Sequence, residues 1–122
     1  MKATLPNYRQ APRKVRLVTN LIKGKKVVDA DTELSFLVKR AAEPIQKLLK
    51  SAIANAEKQG LNKEDLYIKS VTVNKGTVLK RYMPRAFGRA SQILKRSSHL
   101  EIELAVKEEK ESKKKKVSKS KK

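Results

Sequence analysis

The chain has 122 residues, which is room for one domain around one modest core. Its 31 Lys and Arg stand against 12 Asp and Glu, a formal charge of +19 that far exceeds what solubility asks and makes an isolated fold repel itself. A polyanionic partner is therefore expected, nucleic acid ahead of an anionic membrane surface, and the absence of Cys excludes disulfides and Cys-ligated metal.

Met1 to Arg9 alternate loosely, with Ala3 and Leu5 on one side, and read as a short strand. In APRKVRLVTNLIKGK, Pro12 suits a first helical position, and Val15, Val18, Leu21 and Ile22 then share one face at helical spacing. Arg13, Lys14, Arg16 and Lys23 crowd the rest of that helix, and Gly24 ends it. Asp29 or Asp31 is expected to cap a second short helix containing Leu34, Phe36 and Leu37. AAEPIQKLLKSAIANAEKQG is the clearest helix, with Ile45, Leu48, Leu49, Ala52, Ile53 and Ala56 as its apolar stripe and Gly60 at its end. Pro44 requires a start near Arg40 or Ala41, because a deeper proline would cost ~3 kcal/mol. The small Ala52, Ala54 and Ala56 would let this helix lie close against a sheet.

Two strands follow. Leu66 to Val73 is rich in β-branched and aromatic residues. Leu100, Ile102, Leu104 and Val106 alternate with Glu101, Glu103, Ala105 and Lys107, the mark of a strand with one buried face. An antiparallel pair is implied, joined by whatever residues 74–99 form. The fold class is α+β: a small antiparallel three-stranded sheet against three helices. Residues 1–106 then form a single domain, and the Lys-rich 107–122, KEEKESKKKKVSKSKK, is expected to be a disordered tail.

A connection of about 25 residues between paired strands is too long for a hairpin loop of two to five. Val78, Leu79, Tyr82, Ile93 and Leu94 favour strands that continue outward as a ribbon over about 74–99, with Pro84 and Gly88 bracketing its turn. Arms of roughly ten residues at ~3.3 Å each would project about 30 Å. An isolated ribbon is marginal in water, so a partner must hold it. Lys80, Arg81, Arg85, Arg89, Lys95 and Arg96 lie along it with no acid, which makes that partner a phosphate backbone.

Other chemistry is poorly supplied. IKGKK is no phosphate-binding loop, since Thr19 stands where the first Gly is needed and Lys26 where Ser or Thr is needed. His99 is the single His, without metal-ligand company or triad partners, and is read as structural or phosphate-contacting. Glu101 and Glu103 are the solvated side of their strand. Aromatics are 4% of the chain with no Trp, so stacking of bases is not the main mode; Phe87 near the turn packs on a base or an apolar wall, or is incidental. No apolar run approaches the ~20 residues of a membrane span, and MKATLPNYRQ lacks the apolar core of a signal peptide. The expectation is a soluble intracellular chain with no membrane partner, no cofactor, no metal and no enzymatic activity.

APRKVRLVTNLIKGKKV, AAEPIQKLLKSAIANAE and GTVLKRYMPRAFGRASQILKRSSH, in that order and spacing, resemble bacterial-type large-subunit ribosomal protein twenty-two. The likeness runs from about Tyr8 to Val106, and LKRYMPRAFGRA and ILKRSSH are its most specific parts. It implies an α+β domain on the outside of the large subunit near the exit of the nascent-chain tunnel, and a long hairpin running along the tunnel wall through large-subunit ribosomal RNA. It implies RNA contact by Lys80, Arg81, Arg85, Arg89, Lys95, Arg96 and His99, and by Arg9, Arg13, Lys14 and Arg16 on the globular part. Leu79, Lys80, Arg81, Tyr82, Met83, Pro84, Arg85, Ala86, Phe87, Gly88, Arg89 and Ala90 would form the tip near the tunnel constriction, close to where macrolides bind. Ribosomal RNA, neighbouring ribosomal proteins and the nascent polypeptide become the implied partners, at one copy per ribosome in the cytoplasm or an organelle. Thr77 departs from the family's frequent Pro after Gly76, and Asn20 from its frequent Asp; neither alters the electrostatics. The competing reading is an architectural DNA-binding protein with basic β-ribbon arms and apolar wedges.

Overall fold

The alternating run at Leu100, Ile102 and Leu104 becomes the middle strand of a three-stranded antiparallel sheet, in a computed structural model that describes residues 1–106. The expected Lys-rich tail, 107–122, lies outside the described residues. The chain runs β1 (Lys2–Tyr8), α1 (Pro12–Ile22), α2 (Val27–Phe36), α3 (Ala42–Glu57), β2 (Leu66–Lys75), β3 (Leu79–Pro84), β4 (Ala90–Lys95) and β5 (Ser98–Val106). Strand order in the main sheet is β1-β5-β2. The α+β class, the three helices and the antiparallel pairing agree with the sequence reading.

Register explains why the sheet holds. Ile102 lies opposite Ala3 on one side and Val71 on the other; Leu100 lies opposite Leu5 and Val73. Leu100, Ile102 and Leu104 are almost wholly removed from water. Each such side chain contributes roughly 1.5–3 kcal/mol by burial. β1 is an edge strand, so Pro6 is tolerated there, in an irregular step between Leu5 and Tyr8 where Asn7 adopts φ 51°.

The helices cover one face of this sheet. α3 packs on β1 and β5, and Ala52 and Ala56 are fully buried in that contact. Ala54 is exposed rather than in contact, because a helix turns it to the side opposite Ala52 and Ala56. Pro44 is the third residue of α3, where its missing N–H is one that no helical carbonyl would have received. α1 begins on Pro12 as expected, and Gly24 just beyond its end takes φ 78°. Its buried stripe is Val15, Val18, Thr19 and Ile22; Thr19 displaces Leu21, which is half exposed.

α2 departs most from expectation. It starts at Val27 with no side-chain cap, so neither Asp29 nor Asp31 caps it. The preceding backbone is fixed instead by β2: Gly24 N–H donates to Ile68 O at 3.1 Å and Ile68 N–H to Lys25 O at 2.9 Å. Val27, Ala30 and Leu34 are its buried face, which turns Phe36, its last residue, out to solvent. Asp31 accepts from Gln46 Nε2 at 2.8 Å, tying α2 to α3.

β3 and β4 form a separate two-stranded sheet of six pairs, from Leu79–Lys95 to Pro84–Ala90. The β2–β5 ladder ends at Lys75–Ser98, leaving residues 76–78 on one strand against 96–97 on the other. The ribbon is thus two ladders with a junction, and its outer paired part spans about 20 Å at roughly 3.3 Å per residue. Gly76 N–H donates to Ser97 O at 2.9 Å, and Ser97 Oγ donates to Thr77 O at 2.6 Å. A Cβ at Gly76 would stand 2.5 Å from Ser97 Oγ and 3.2 Å from the Ser97 carbonyl carbon. Gly76→Ala should therefore lower stability by about 1–3 kcal/mol through overpacking. Urea unfolding would read this as a lower midpoint at unchanged slope. With Ser97→Ala added, the loss should be smaller than the two single losses summed; strict additivity would show that Ser97 is not the obstacle.

Candidate nucleic-acid interface

Hairpin side chains are assigned to faces by the pairing itself. Leu79, Arg81 and Met83 share a face with Lys95, Ile93 and Ser91; Lys80, Tyr82 and Pro84 share the other with Leu94, Gln92 and Ala90. Each face therefore carries at least one cation and at least two large apolar groups. Residues 80–90 are exposed throughout, so neither face is a core face of the folded chain.

The turn is built to project. Arg85 N–H donates to Arg89 O at 2.7 Å across it, and Phe87 and Gly88 both take positive φ, 58° and 66°. Phe87, with 98% of its surface open, stands at the extremity of the hairpin. Arg85 Nε donates to Ser91 Oγ at 2.9 Å, and Arg81 Nη1 to Lys80 O at 2.9 Å, so each guanidinium keeps most of its donors free. Lys80 and Arg89 are exposed beside them.

A second basic surface lies at the hairpin root. Arg9, Lys14 and Arg40 come from the globular part and Lys95 and Arg96 from the hairpin, and together they line a cleft of about 890 Å³ with no carboxylate among its lining residues. Tyr8 braces one wall: its hydroxyl donates to Gln10 Oε1 at 2.8 Å and faces Arg40 O at 3.5 Å. Partial burial pushes the Tyr8 phenol above its ordinary pKa, with the Arg40 charge opposing, so it remains a donor. Arg40 was not singled out from the sequence; its only signal is the Lys39-Arg40 pair in the link between α2 and α3.

The remaining sequence candidates separate. Arg13 is exposed on α1 outside the cleft. Arg16 donates through Nε and Nη2 to Val73 O, at 3.2 and 2.7 Å, and so pins α1 to β2. His99 is half buried and its Nδ1 accepts the Asn7 backbone N–H at 3.1 Å, which ties β5 to the irregular step of β1.

Acids are spent elsewhere. Ion pairs among the described residues join Lys2 to Glu101, Lys25 to Glu33, Lys47 to Glu43, Lys63 to Asp31 and Lys69 to Glu103. A hydrogen bond from Lys47 holds the Glu43 carboxyl below its ordinary range, and bonds from Lys69 and Ser70 do the same for Glu103. None of these pairs uses a cation of the hairpin or the cleft. Among the described residues there is no His, Asp and Glu grouping that could hold a metal ion, and no helix is long and apolar enough to cross a membrane.

With this geometry in view, comparison with known proteins is decisive. Residues 3–105 match the family described as Ribosomal protein L22p/L17e. The chain belongs to that family. It is 50% identical over 102 residues to the large ribosomal subunit protein uL22 of Herpetosiphon aurantiacus, covering 83% of this chain and 90% of that one. The uL22 of Syntrophobacter fumaroxidans is 52% identical over 108 residues, 88% of this chain and 98% of its own length. That of Pediococcus pentosaceus is 48% identical over 109 residues, 88% and 92%. The family is structural and non-enzymatic, in agreement with the sequence reading, and it does not favour the architectural DNA-binding alternative.

The hairpin has no core of its own and no counter-charge, so it should be the least protected part of the free protein. Amide exchange should be fast across Leu79–Leu94 and slow across Ile45–Ala56. Equal protection of both regions without RNA would mean that the hairpin needs no partner.

Proposed function

We propose that this chain is a structural component of the large ribosomal subunit that binds large-subunit ribosomal RNA, supports subunit assembly and lines the nascent-polypeptide tunnel with its hairpin tip. The observation that carries this reading is a hairpin whose two faces both mix cations with exposed apolar side chains, without one acid. A ribbon laid on a surface would keep one face for water. This one is composed to be surrounded, with phosphates against its Lys and Arg and with base edges and riboses against its carbon.

In this role Lys80, Arg81, Arg85, Arg89, Lys95 and Arg96 neutralise backbone phosphates, Arg as bidentate forks and Lys as point charges. Arg9, Arg13 and Lys14 extend the RNA-facing surface onto the globular part, which sits near the tunnel exit. Arg16 and His99 act mainly through the fold, Arg16 by fixing α1 and His99 by holding Asn7, with their free N–H groups turned toward RNA. Leu79 to Ala90 approach the tunnel constriction, where Phe87 meets a base, the wall or the nascent polypeptide. Neighbouring ribosomal proteins cover the remaining contacts. The protein works as one copy per ribosome, in the cytoplasm. Residues 1–106 are the RNA-binding domain.

Binding to purified large-subunit rRNA should weaken steeply with salt, log K falling with log salt by roughly 0.7 to 0.9 per phosphate neutralised. Arg85→Gln with Arg89→Gln should flatten that slope by about one to two units. An unchanged slope would remove both residues from the RNA contact and assign them to the tunnel lumen.

Tunnel lining has its own test. Deleting Leu79-Lys80-Arg81 leaves Val15, Val18, Leu48, Leu49, Ile53, Leu100, Ile102 and Leu104 untouched, so the core should persist. An odd deletion reverses the facing of one arm beyond the cut and must shift the tip. Ribosomes carrying this variant should assemble and translate with an altered macrolide response at equal subunit yield. Normal assembly with a normal drug response would show that the tip does not shape the tunnel.

A further inference from the structure

The cleft at the hairpin root has walls that belong to two bodies. Arg9, Lys14 and Arg40 are fixed to the globular domain by β1, α1 and the link before α3, whereas Lys95 ends the hairpin strand β4 and Arg96 follows it in the joint. The two bodies are joined through residues 76–78 and 96–97, where the ladder is interrupted and its two strands are unequal in length. Like charges thus face each other across a joint that lacks ladder pairing and is held by the bonds from Gly76 N–H to Ser97 O and from Ser97 Oγ to Thr77 O. We infer that a single RNA backbone segment occupies this cleft and that its phosphates, clamped between the two walls, set the direction in which the hairpin leaves the domain.

Several features select nucleic acid backbone as the occupant. The cleft, about 890 Å³, admits a length of strand rather than one small anion. Its neutral lining, Asn7, Gln10 and Thr77, offers donors and acceptors suited to phosphate oxygens and ribose hydroxyls. No acid is present to neutralise the walls from within. Phosphate between them turns repulsion into attraction on both sides, so closure of the joint and capture of RNA are one event. Hairpin direction is then a property of the complex. This inference rests on the ribosomal RNA reading above and adds a consequence for geometry.

The full chain has no Cys, so Lys50→Cys on α3 and Gln92→Cys on β4 give a unique spin-label pair across the joint. In free protein the interlabel distances should be broad, and purified large-subunit rRNA should narrow them. Two wall variants, Arg9→Gln with Arg40→Gln and Lys95→Gln with Arg96→Gln, change exposed side chains only. Each should still bind that RNA at low salt through the outer hairpin, with the salt slope reduced by about one to two units. Each should keep broad distances when bound. Removing both walls together should cost less affinity than the two separate losses combined, because either loss already opens the clamp. Narrow distances in free protein, or narrow distances in both bound variants, would overturn the inference while leaving RNA binding in place. Failure of the unmodified chain to bind the RNA would overturn the ribosomal reading and this inference with it.

Discussion

Everything in this fold hangs on β5, which serves two structures at once. Its backbone pairs with β1 on one side and β2 on the other, so both rows of its N–H and C=O groups are used inside the sheet. Its inward side chains, Leu100, Ile102 and Leu104, are the floor on which the helices rest. Its first residue, Ser98, is fully buried and donates through Oγ to Gln10 O at 3.1 Å, fastening the entry to α1. One residue earlier the same strand leaves the core and becomes the hairpin root. The globular domain can therefore be understood as an anchor for two strands that have to emerge side by side in fixed register.

That dual duty accounts for the chemistry of the junction. Polar groups cluster where the core ends: Ser97, Ser98 and His99 each use a side chain to bind backbone of a different segment, at Thr77, Gln10 and Asn7. Each such bond is worth only about 0.5–1.5 kcal/mol net. Together they fix register where apolar burial can no longer do so, and Gly76 lets the two strands approach closely enough to form them.

The parts legible in the sequence were those with a one-dimensional signal. The period of two in β5 required a buried face, the stripe of α3 was long enough to fix its phase, and the run of Lys and Arg without acid from Leu79 to Arg96 identified a charged ribbon. What failed to show was relational. In α1 and α2, both short, several apolar residues compete for the inner face, and the choice of Thr19 over Leu21 or of Leu34 over Phe36 is made by the sheet beneath them. The start of α2 is set by β2, distant in sequence, rather than by an aspartate beside it. The break in the ribbon depends on unequal strand lengths across a pairing register. The cleft unites residues near positions 9, 40 and 95, which no local pattern relates.

Charge is distributed in the same relational way. Acids pair with Lys2, Lys25, Lys47, Lys63 and Lys69, all on the globular body. Such exposed pairs contribute little to stability, about 0–1 kcal/mol each. Their larger effect is on where positive potential survives. Among the described residues the carboxylates are confined to the body, so the uncompensated field there concentrates at the root cleft and along the hairpin, which also lack apolar support from the fold. Among the described residues, the regions that repel most are thus the regions with least core to resist that repulsion. In the role proposed above, polyanion binding acts on both deficits, supplying counter-charge to the Lys and Arg and surface to Tyr82, Met83, Ile93 and Leu94. A compact body that folds by burial carries an extension with no core of its own, and the joint between them at Gly76 and Ser97 is where burial stops fixing the strands.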